Sequence, residues 1–362
     1  MRSRAWCYRL SGGLLSSALL VALAGCSSGA TPPGATHAPA GTAEVAYAAS
    51  LEQIMSTVLE PGFETASGDR IGGPLGAGSN DLAEEILAGE ISPGVFLSVG
   101  ARPIESLWPQ KRASFAMALA SDPLVVAYSP HSPKAPRLNA IARRSAPLSQ
   151  LFSLMASPGF KLARTDPNAD PQGAYFELMC HLAQSELHLP AGSAERILGT
   201  SPSNSIGDTS QVFAEAAVPS LISSAAVDAG SAYLSQALQY HLSYIKLPSS
   251  LDFAAPSELS RYESVSIRLA DGSIFEGGLI TLDAALVHPA GGRHVATADT
   301  AADSSFLSFL LSGSGRRDLR RSGYELEAPG LVTAPGYERI ASVLPASVLA
   351  RFRRLGGRVS RS

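Results

Sequence analysis

The segment Gly76-Ala77-Gly78-Ser79-Asn80-Asp81-Leu82-Ala83 shows the pattern from which the architecture of the chain can be inferred. Its glycines allow the chain to turn tightly, and the serine behind them opens a helical pattern that continues through Leu87. The same succession occurs earlier, where a predicted strand at Val45–Ala49 meets Ser50 and a predicted helix at Leu51–Leu59. Strands that alternate with helices in this way indicate an α/β fold with mostly parallel sheets.

The alternation continues toward the C-terminus. Leu124–Tyr128 is strongly apolar and predicts a strand, while Ala174–Leu187 and Ser220–Ala226 predict helices. Asp271-Gly272 stands between two short β-rich runs and predicts a hairpin. A late amphipathic helix is expected at Ser304–Leu311. The body of the chain is therefore one α/β pattern without an internal repeat of fixed period.

Composition excludes several classes of protein. The 362 residues are 45% hydrophobic and 16% charged, a balance that argues against intrinsic disorder. The formal net charge of −3 lacks the dominant basic surface of a general nucleic-acid binder. Three arginines fall within residues 1–25, so the remainder carries 25 basic against 31 acidic residues, a net charge of −6. A site for an anion must then be built from local groups.

The N-terminus has the pattern of an export signal. Basic residues precede the apolar run Leu14–Ala24, and no later run is long enough to span a bilayer. The run ends in Leu23-Ala24-Gly25-Cys26, which resembles a bacterial lipobox. We predict a lipoprotein signal peptide at residues 1–25, lipid on Cys26 and a flexible tether at residues 26–42. The alternative is an ordinary signal peptide with a chance cysteine. The lipid would hold the protein on the extracytoplasmic face of the cell membrane.

Familiar catalytic and metal-binding motifs are absent from the sequence. Cys180 is the one cysteine beyond Cys26, so neither a disulfide framework nor a zinc cluster is expected. No Gly-x-Ser-x-Gly, His-Glu-x-x-His or Gly-Lys-Ser/Thr phosphate loop occurs. We predict a protein that is not an enzyme and needs no cofactor, with a lipid-anchored hydrolase that uses Ser50 or Ser79 as the alternative.

Two serines stand where strands give way to helices. A helix start offers unpaired backbone N–H groups and a partial positive charge, and glycine lets an anion approach the backbone closely. Two such starts facing one point, at Ser50 and Ser79, would bind a tetrahedral oxyanion without Lys or Arg. The alternative is that each serine only caps its helix.

A polar, turn-rich loop and three later segments complete the pattern. They read Asp166-Pro167-Asn168-Ala169-Asp170-Pro171-Gln172-Gly173-Ala174-Tyr175, Asp228-Ala229-Gly230, Tyr233-Leu234-Ser235-Gln236-Ala237 and Tyr244-Ile245-Lys246-Leu247-Pro248. Together with the stretches around Ser50 and Ser79, they resemble in order and spacing the lipid-anchored molybdate/tungstate-binding proteins of ABC importers. The resemblance runs from about Val45 to Leu326.

The resemblance implies a two-lobed fold of the type II periplasmic-binding-protein kind, closing on its ligand like a hinged clamp. Lobe 1 is expected at residues 43–120 and 281–345, lobe 2 at residues 121–280, and a basic tail at residues 346–362. It also implies a monomer that captures molybdate or tungstate and delivers it to an ABC permease and its ATPase.

The resemblance further implies which residues hold the ligand. In lobe 1 these are Ser50 and Ser79, through their hydroxyls and nearby N–H groups. In lobe 2 they are the backbone N–H of Gln172, a helix start near Leu221, and Tyr233. All are neutral donors, which suits a dianion that must later be released.

One departure concerns the carboxylates. Some archaeal members of the family surround the metal with six oxygens, using an Asp and a Glu. Asp170 matches the Asp, but Ala232 stands where the Glu is expected, just before Tyr233. A single carboxylate favours tetrahedral binding by dipoles, with Asp170 bracing its loop. The departure also leaves sulfate or a small organic acid open as the ligand.

Overall fold

The computed structural model describes residues 40–200, 207–289, 297–337 and 339–361. These residues form three sheets, a larger one of seven strands, a smaller one of four strands and a two-stranded hairpin, and buried apolar residues lie at the centre of the larger sheet. Val95 and Leu97 enter one core, while Phe96 between them enters another with Leu82 and Ile86. Because both faces of the sheet are covered at this point, the strand Val95–Val99 is buried along its whole length. In chain order, the strands are β1 Thr42–Ala48, β2 Arg70–Ala77, β3 Val95–Val99, β4 Phe115–Ser121, β5 Leu124–Tyr128, β6 Leu162–Ala163, β7 Ala229–Tyr233, β8 Ser243–Lys246, β9 Ser266–Arg268, β10 Ile274–Glu276, β11 Thr281–Leu286, β12 Gly330–Thr333 and β13 Arg358–Arg361.

Within the described residues, the larger sheet has the strand order β13-β12-β4-β11-β3-β1-β2. β1 pairs in parallel with β2 and β3, whereas β11 runs antiparallel to both β3 and β4. The prediction of mostly parallel sheets is therefore wrong. The physical reason is that the chain leaves this sheet after β4 and re-enters it at the same end to form β11. The two strands therefore run in opposite directions.

The smaller sheet, of order β6-β7-β5-β8, forms the core of a second lobe. The chain enters it between β4 and β5 and leaves it between β8 and β11. At the crossing, the Asp122 N–H donates to the Ile280 carbonyl (3.0 Å) and the Leu124 N–H to that of Asp252 (2.9 Å). Two side-by-side crossings are the hinge of a clamp. The two-lobed α/β class is confirmed. We call the larger sheet with its helices lobe 1 and the smaller one with its helices lobe 2.

Helices cover both sheets. In chain order they are α1 Glu52–Ile54, α2 Glu60–Ser67, α3 Ser79–Ala88, α4 Arg102–Glu105, α5 Ala135–Ala142, α6 Ser149–Met155, α7 Pro171–Glu186, α8 Ser193–Leu198, α9 Val218–Ser223, α10 Leu234–Gln239, α11 Leu259–Tyr262, α12 Thr297–Leu310, α13 Gly313–Arg321 and α14 Ala346–Arg354. No helix in the described ranges is long and apolar enough to cross a membrane.

The C-terminal segment differs from its prediction. Residues 346–361 form α14 and β13, and β13 pairs in parallel with β12 at the edge of the larger sheet. The expected basic tail is therefore wrong for these residues. Val348 and Phe352 of α14 are buried in the core of lobe 1, and this burial holds the arginine-rich segment in place.

Candidate functional site

Lobe 1 presents its two serines at the ends of neighbouring strands. Ser50 lies in the helical turn Ala49–Leu51 after β1, and Ser79 begins α3 after β2. Both are buried, at 2% and 0% exposure. Neither side chain caps its helix, so the capping alternative fails. The Ser79 Oγ accepts a hydrogen bond from the Val99 N–H (3.2 Å), and the Ser50 Oγ is buried with no well-formed hydrogen bond to protein.

Asp170 of lobe 2 is the N-cap of α7. Its Oδ1 accepts hydrogen bonds from the Thr165 hydroxyl (2.9 Å) and the Gly173 N–H (3.2 Å). These bonds hold Asp170 between its own loop and the first turn of α7. Burial raises the pKa of Asp170 to about 7, and the bonds from Thr165 and Gly173 oppose that rise.

A second carboxyl group, from Glu215, joins Asp170 in the structure. Glu215 begins the helical turn Glu215–Ala217 and is 5% exposed. Burial raises its pKa well above the usual value, the charge of Asp170 raises it further, and the nearby hydroxyl and N–H of Ser50 lower it. The expectation of a single carboxylate is therefore wrong. Sequence reasoning missed Glu215 because no motif surrounds it.

An amide network fixes the orientation of Glu215. The Gln172 Nε2 donates to Glu215 Oε1 (3.1 Å) and to Gln236 Oε1 (2.7 Å), and the Gln236 Nε2 also donates to Glu215 Oε1 (3.4 Å). Gln236 Oε1 accepts the Tyr233 N–H (3.0 Å), and Gln172 Oε1 accepts the Ser231 hydroxyl (2.9 Å). Both amides thus direct their donors to one carboxyl oxygen, which holds Glu215 in a single orientation.

Tyr233 and Gln172 reach the same place from β7 and α7. The Tyr233 hydroxyl is buried without a hydrogen-bond partner, and burial, followed by the charges of Glu215 and Asp170, raises its pKa. The Gln172 N–H lies close enough to Asp170 to lower that carboxyl's pKa. The structure therefore gathers Ser50, Tyr233 and Gln172 around the two carboxyl groups.

Leu221 does not lie at a helix start, and that prediction is wrong. It is the fourth residue of α9, and its side chain packs with Val125 and Ala127 in the core of lobe 2. The helical segment begins six residues earlier, at Glu215. The sequence pattern placed this helix at 220–226 because the short turn before α9 has no cap signature. Cys26, the predicted lipidation site, lies outside the described residues.

A cavity of about 300 Å³ opens between the lobes beside these groups. Its walls are Gly78, Asp81, Asp166, Ala169, Asp170, Val212, Phe213, Ala214 and Glu215. None of these described wall residues is Lys or Arg. A Cβ on Gly78 would stand 2.5 Å from the Ala169 carbonyl oxygen, so the absence of a side chain there lets the two lobes meet. No cluster of three or more His, Cys, Asp or Glu among the described residues is arranged to hold a metal ion.

The family model for bacterial extracellular solute-binding proteins matches residues 43–325. The chain belongs to this family. Its members are binding proteins of transport systems rather than enzymes, in agreement with a cavity between two lobes.

Two relatives of this solute-binding protein come from Haloferax volcanii and Halobacterium salinarum. A Haloferax volcanii protein, named as a candidate ABC transporter molybdenum-binding protein, is 29% identical over 211 residues. That match covers 58% of this chain and 59% of the relative, less than two thirds of its length. An uncharacterized solute-binding protein of Halobacterium salinarum is 27% identical over 298 residues, covering 82% of this chain and 85% of the relative.

Among solved structures, the solute-binding protein is similar to the periplasmic molybdate-binding protein of Azotobacter vinelandii. The two share 16% identity with a TM-score of 0.48, and the match covers 78% of this chain and 99% of the other.

Proposed function

We propose that this solute-binding protein captures molybdate or tungstate outside the cytoplasm and delivers it to the permease of an ABC importer. The observation that carries the proposal is the carboxyl pair Asp170 and Glu215. The Ser50 hydroxyl beside it has no well-formed hydrogen bond, and the Tyr233 hydroxyl is buried without a hydrogen-bond partner in the described residues. The Haloferax relative named for molybdenum binding supports the same ligand.

The carboxyl pair bears on the choice of anion. Where the pair is ionised, it repels a bare sulfate or phosphate, because like charges at close range raise one another's energy. Molybdenum and tungsten accept more than four oxygens, so Asp170 and Glu215 supply ligands that a sulfur or phosphorus centre does not take. With the pair present, we favour coordination of the metal of the oxyanion over binding by neutral dipoles alone.

The neutral donors have a separate task in this proposal. The hydroxyls of Ser50, Ser79 and Tyr233 bond the oxygens of the anion, and no Lys or Arg lines the cavity wall in the described residues. Such a site leaves part of the ligand's charge in place, which favours later release to the permease. The proposal also includes a monomer tethered through lipid on Cys26, which rests on the sequence pattern alone.

Calorimetric titration of residues 40–362 with molybdate, tungstate, sulfate and phosphate tests the proposal. We expect one-to-one binding of the first two anions, with sulfate and phosphate at least tenfold weaker, roughly the effect of 1.4 kcal/mol. Binding of sulfate equal to that of molybdate would contradict the role given to the carboxyl pair. A folded sample that binds none of the four anions would refute the proposed ligand class.

A further inference from the structure

A hairpin outside the cavity brings the lobes together a second time. β9 and β10 pair antiparallel and form the hairpin over residues 266–276, which the sequence predicts from Asp271-Gly272. Phe275 of the hairpin is buried and meets Tyr175 of α7 edge to face, with ring centroids 5.3 Å apart. Aromatic packing of this kind ties the hairpin to lobe 2.

Arg102 of lobe 1 holds this hairpin from the other side. Its Nη1 donates to the Ile274 carbonyl (2.9 Å) and its Nη2 to the Ser273 hydroxyl (2.9 Å). The guanidinium carbon also lies 5.5 Å from the ring centroid of Phe275, within cation–π range. One lobe 1 side chain therefore grips the hairpin through its backbone, a hydroxyl and an aromatic ring.

A second set of bonds links the hairpin to the loop that carries Asp170. The Ala270 N–H donates to Asn168 Oδ1 (2.8 Å), and the Asn80 Nδ2 of lobe 1 donates to the Asn168 carbonyl (2.9 Å). Asn80 directly follows Ser79, and Asn168 lies two residues before Asp170. Opening the lobes breaks the Asn80 and Arg102 bonds together, because both cross from lobe 1 to lobe 2.

Cavities flank these contacts. One of about 410 Å³ is lined by Arg102, Tyr175 and Phe275, and one of about 380 Å³ by Asn80, Arg102 and Leu269. The bonds of Arg102 therefore stand apart from the packed cores, and its side chain is exposed. Removing that side chain breaks the bonds without opening a void in a core.

We propose that Arg102 and the hairpin of residues 266–276 form a latch that stabilises the closed lobes and slows ligand release. Arg102 is a positioning residue, since it holds the donors of lobe 2 against those of lobe 1 from outside the cavity wall. The effect on release rests on the proposed function, whereas the effect on closure is measurable without a ligand.

The test compares Arg102→Gln with Arg268→Gln in the otherwise unchanged chain. Arg268 is an exposed arginine of the same hairpin whose Nη1 donates to the Gly272 carbonyl of that hairpin (2.7 Å). Both variants lose one positive charge, but only Arg102→Gln loses hydrogen bonds between the lobes. Spin labels on Ala88→Cys and Ser153→Cys, which are exposed on lobes 1 and 2, report the distance between the lobes by pulsed electron resonance. The labelled protein is residues 40–362, as in the calorimetric titration, which leaves out Cys7 and Cys26, and the remaining Cys180 is buried and does not compete for label.

We expect Arg102→Gln to shift the distances toward open lobes and to release molybdate roughly tenfold faster, with an unchanged association rate. A tenfold change corresponds to about 1.4 kcal/mol, an effect of the size expected for the loss of two exposed hydrogen bonds. Arg268→Gln should match the wild type, and Arg102→Lys, which keeps one donor group and the charge, should fall between them.

Three other results would count against the latch or against the proposed ligand. Arg102→Gln distances that match the wild type with and without molybdate overturn the latch, even if the melting temperature falls. Wild-type lobes that stay open in every condition overturn it as well. Wild-type lobes that close without binding any oxyanion, and open on Arg102→Gln, retain the latch and refute the proposed oxyanion function.

Discussion

The two halves of the cavity differ in their chemistry. Lobe 1 contributes the bare backbone of Gly78 and one carboxyl group, from Asp81, to the cavity wall, and it also holds the buried hydroxyls of Ser50 and Ser79. Lobe 2 contributes the buried acids Asp170 and Glu215, and the amides of the network bond Glu215. Lobe 1 thus offers separate groups and a backbone that lies close to lobe 2 at Gly78. Lobe 2 offers two buried acids that interact with each other.

The two environments predict where the effect of a substitution stays local and where it spreads to neighbouring groups. A serine of lobe 1 has at most one hydrogen bond to lose, so its replacement removes little beyond that bond. Glu215 accepts from two amides and interacts with Asp170, so its replacement changes several groups at once. Additive effects in lobe 1 and non-additive effects in lobe 2 are the general expectation.

The largest effect is expected from the carboxyl pair. Asp170→Asn and Glu215→Gln should each weaken molybdate binding by about 100-fold, the upper range for disturbing a metal centre's protein environment. Asp81→Asn is the matched control, because it removes a carboxylate from the lobe 1 wall of the same cavity. Calorimetry gives the three affinities. Unchanged or improved affinity in Asp170→Asn would restore the dipole model and erase the contrast between the lobes.

Gly78→Ala should have the next largest effect. The added Cβ would stand 2.5 Å from the Ala169 carbonyl, and overpacking of this kind costs about 1–3 kcal/mol, equivalent to roughly tenfold to hundredfold in affinity. Gly330→Ala, whose Cβ would meet Ala118 at an ordinary 3.6 Å, is the control in the same lobe. Equal affinities for the two variants would show that the lobes bind ligand without meeting at Gly78.

The two serines should separate affinity from stability. Ser50→Ala removes a hydroxyl with no well-formed protein hydrogen bond, so molybdate binding should weaken by about 0.5–1.5 kcal/mol while the melting temperature stays constant. Ser79→Ala also leaves the buried Val99 N–H unpaired, so both affinity and stability should fall. Thermal scans and calorimetry on the two variants check this. Equal losses of stability would contradict the different environments of the two hydroxyls.

The smallest change concerns an acid outside the cavity wall. Burial raises the pKa of Asp122 to about 7, and its bonds from the Ser235 N–H and hydroxyl oppose that rise. The folded protein therefore binds more protons than the unfolded chain between about 3.8 and 7, and stability falls as pH rises through this window. Asp122→Asn should reduce this fall and leave molybdate affinity unchanged.

Melting temperatures at pH 4 and pH 8 test the prediction for Asp122. Each unit of raised pKa corresponds to about 1.4 kcal/mol. The wild type should therefore lose more stability between the two pH values than Asp122→Asn. The same slope in both proteins would show that Asp122 stays ionised in the fold.

The lobe 1 half of the site followed from the sequence because its signals are local. A strand, a glycine or serine, and a helix lie within about ten residues around Ser50 and Ser79, and such a unit folds in one way. The helix at 79–88 and the hairpin at 266–276 match their predictions closely for the same reason. The position of Asp170 directly before Pro171 likewise indicates a helix cap.

The lobe 2 half required the tertiary structure. Glu215 stands 45 residues after Asp170 and 18 before Tyr233, as the printed sequence shows, and only the fold brings the three together. No periodic pattern marks a single buried acid in an irregular segment. The mixed sheets escaped prediction likewise, since strand direction depends on where the chain re-enters a lobe. The arginines of residues 346–362 indicate a basic tail, whereas the burial of two side chains, Val348 and Phe352, holds the segment on lobe 1.

The strand β13 has a consequence for how copies of the protein behave at high concentration. As the outermost strand of its sheet, it presents backbone N–H and C=O groups that another chain's strand would pair with. Val359 in this strand is 48% exposed, and burial of its side chain would stabilise such pairing. Arg353, Arg354 and Arg358 are exposed nearby in sequence, and they place like charges on both copies in any edge-to-edge approach. By electrostatic repulsion, the arginines thus oppose fibril-like association of copies through this hydrophobic edge.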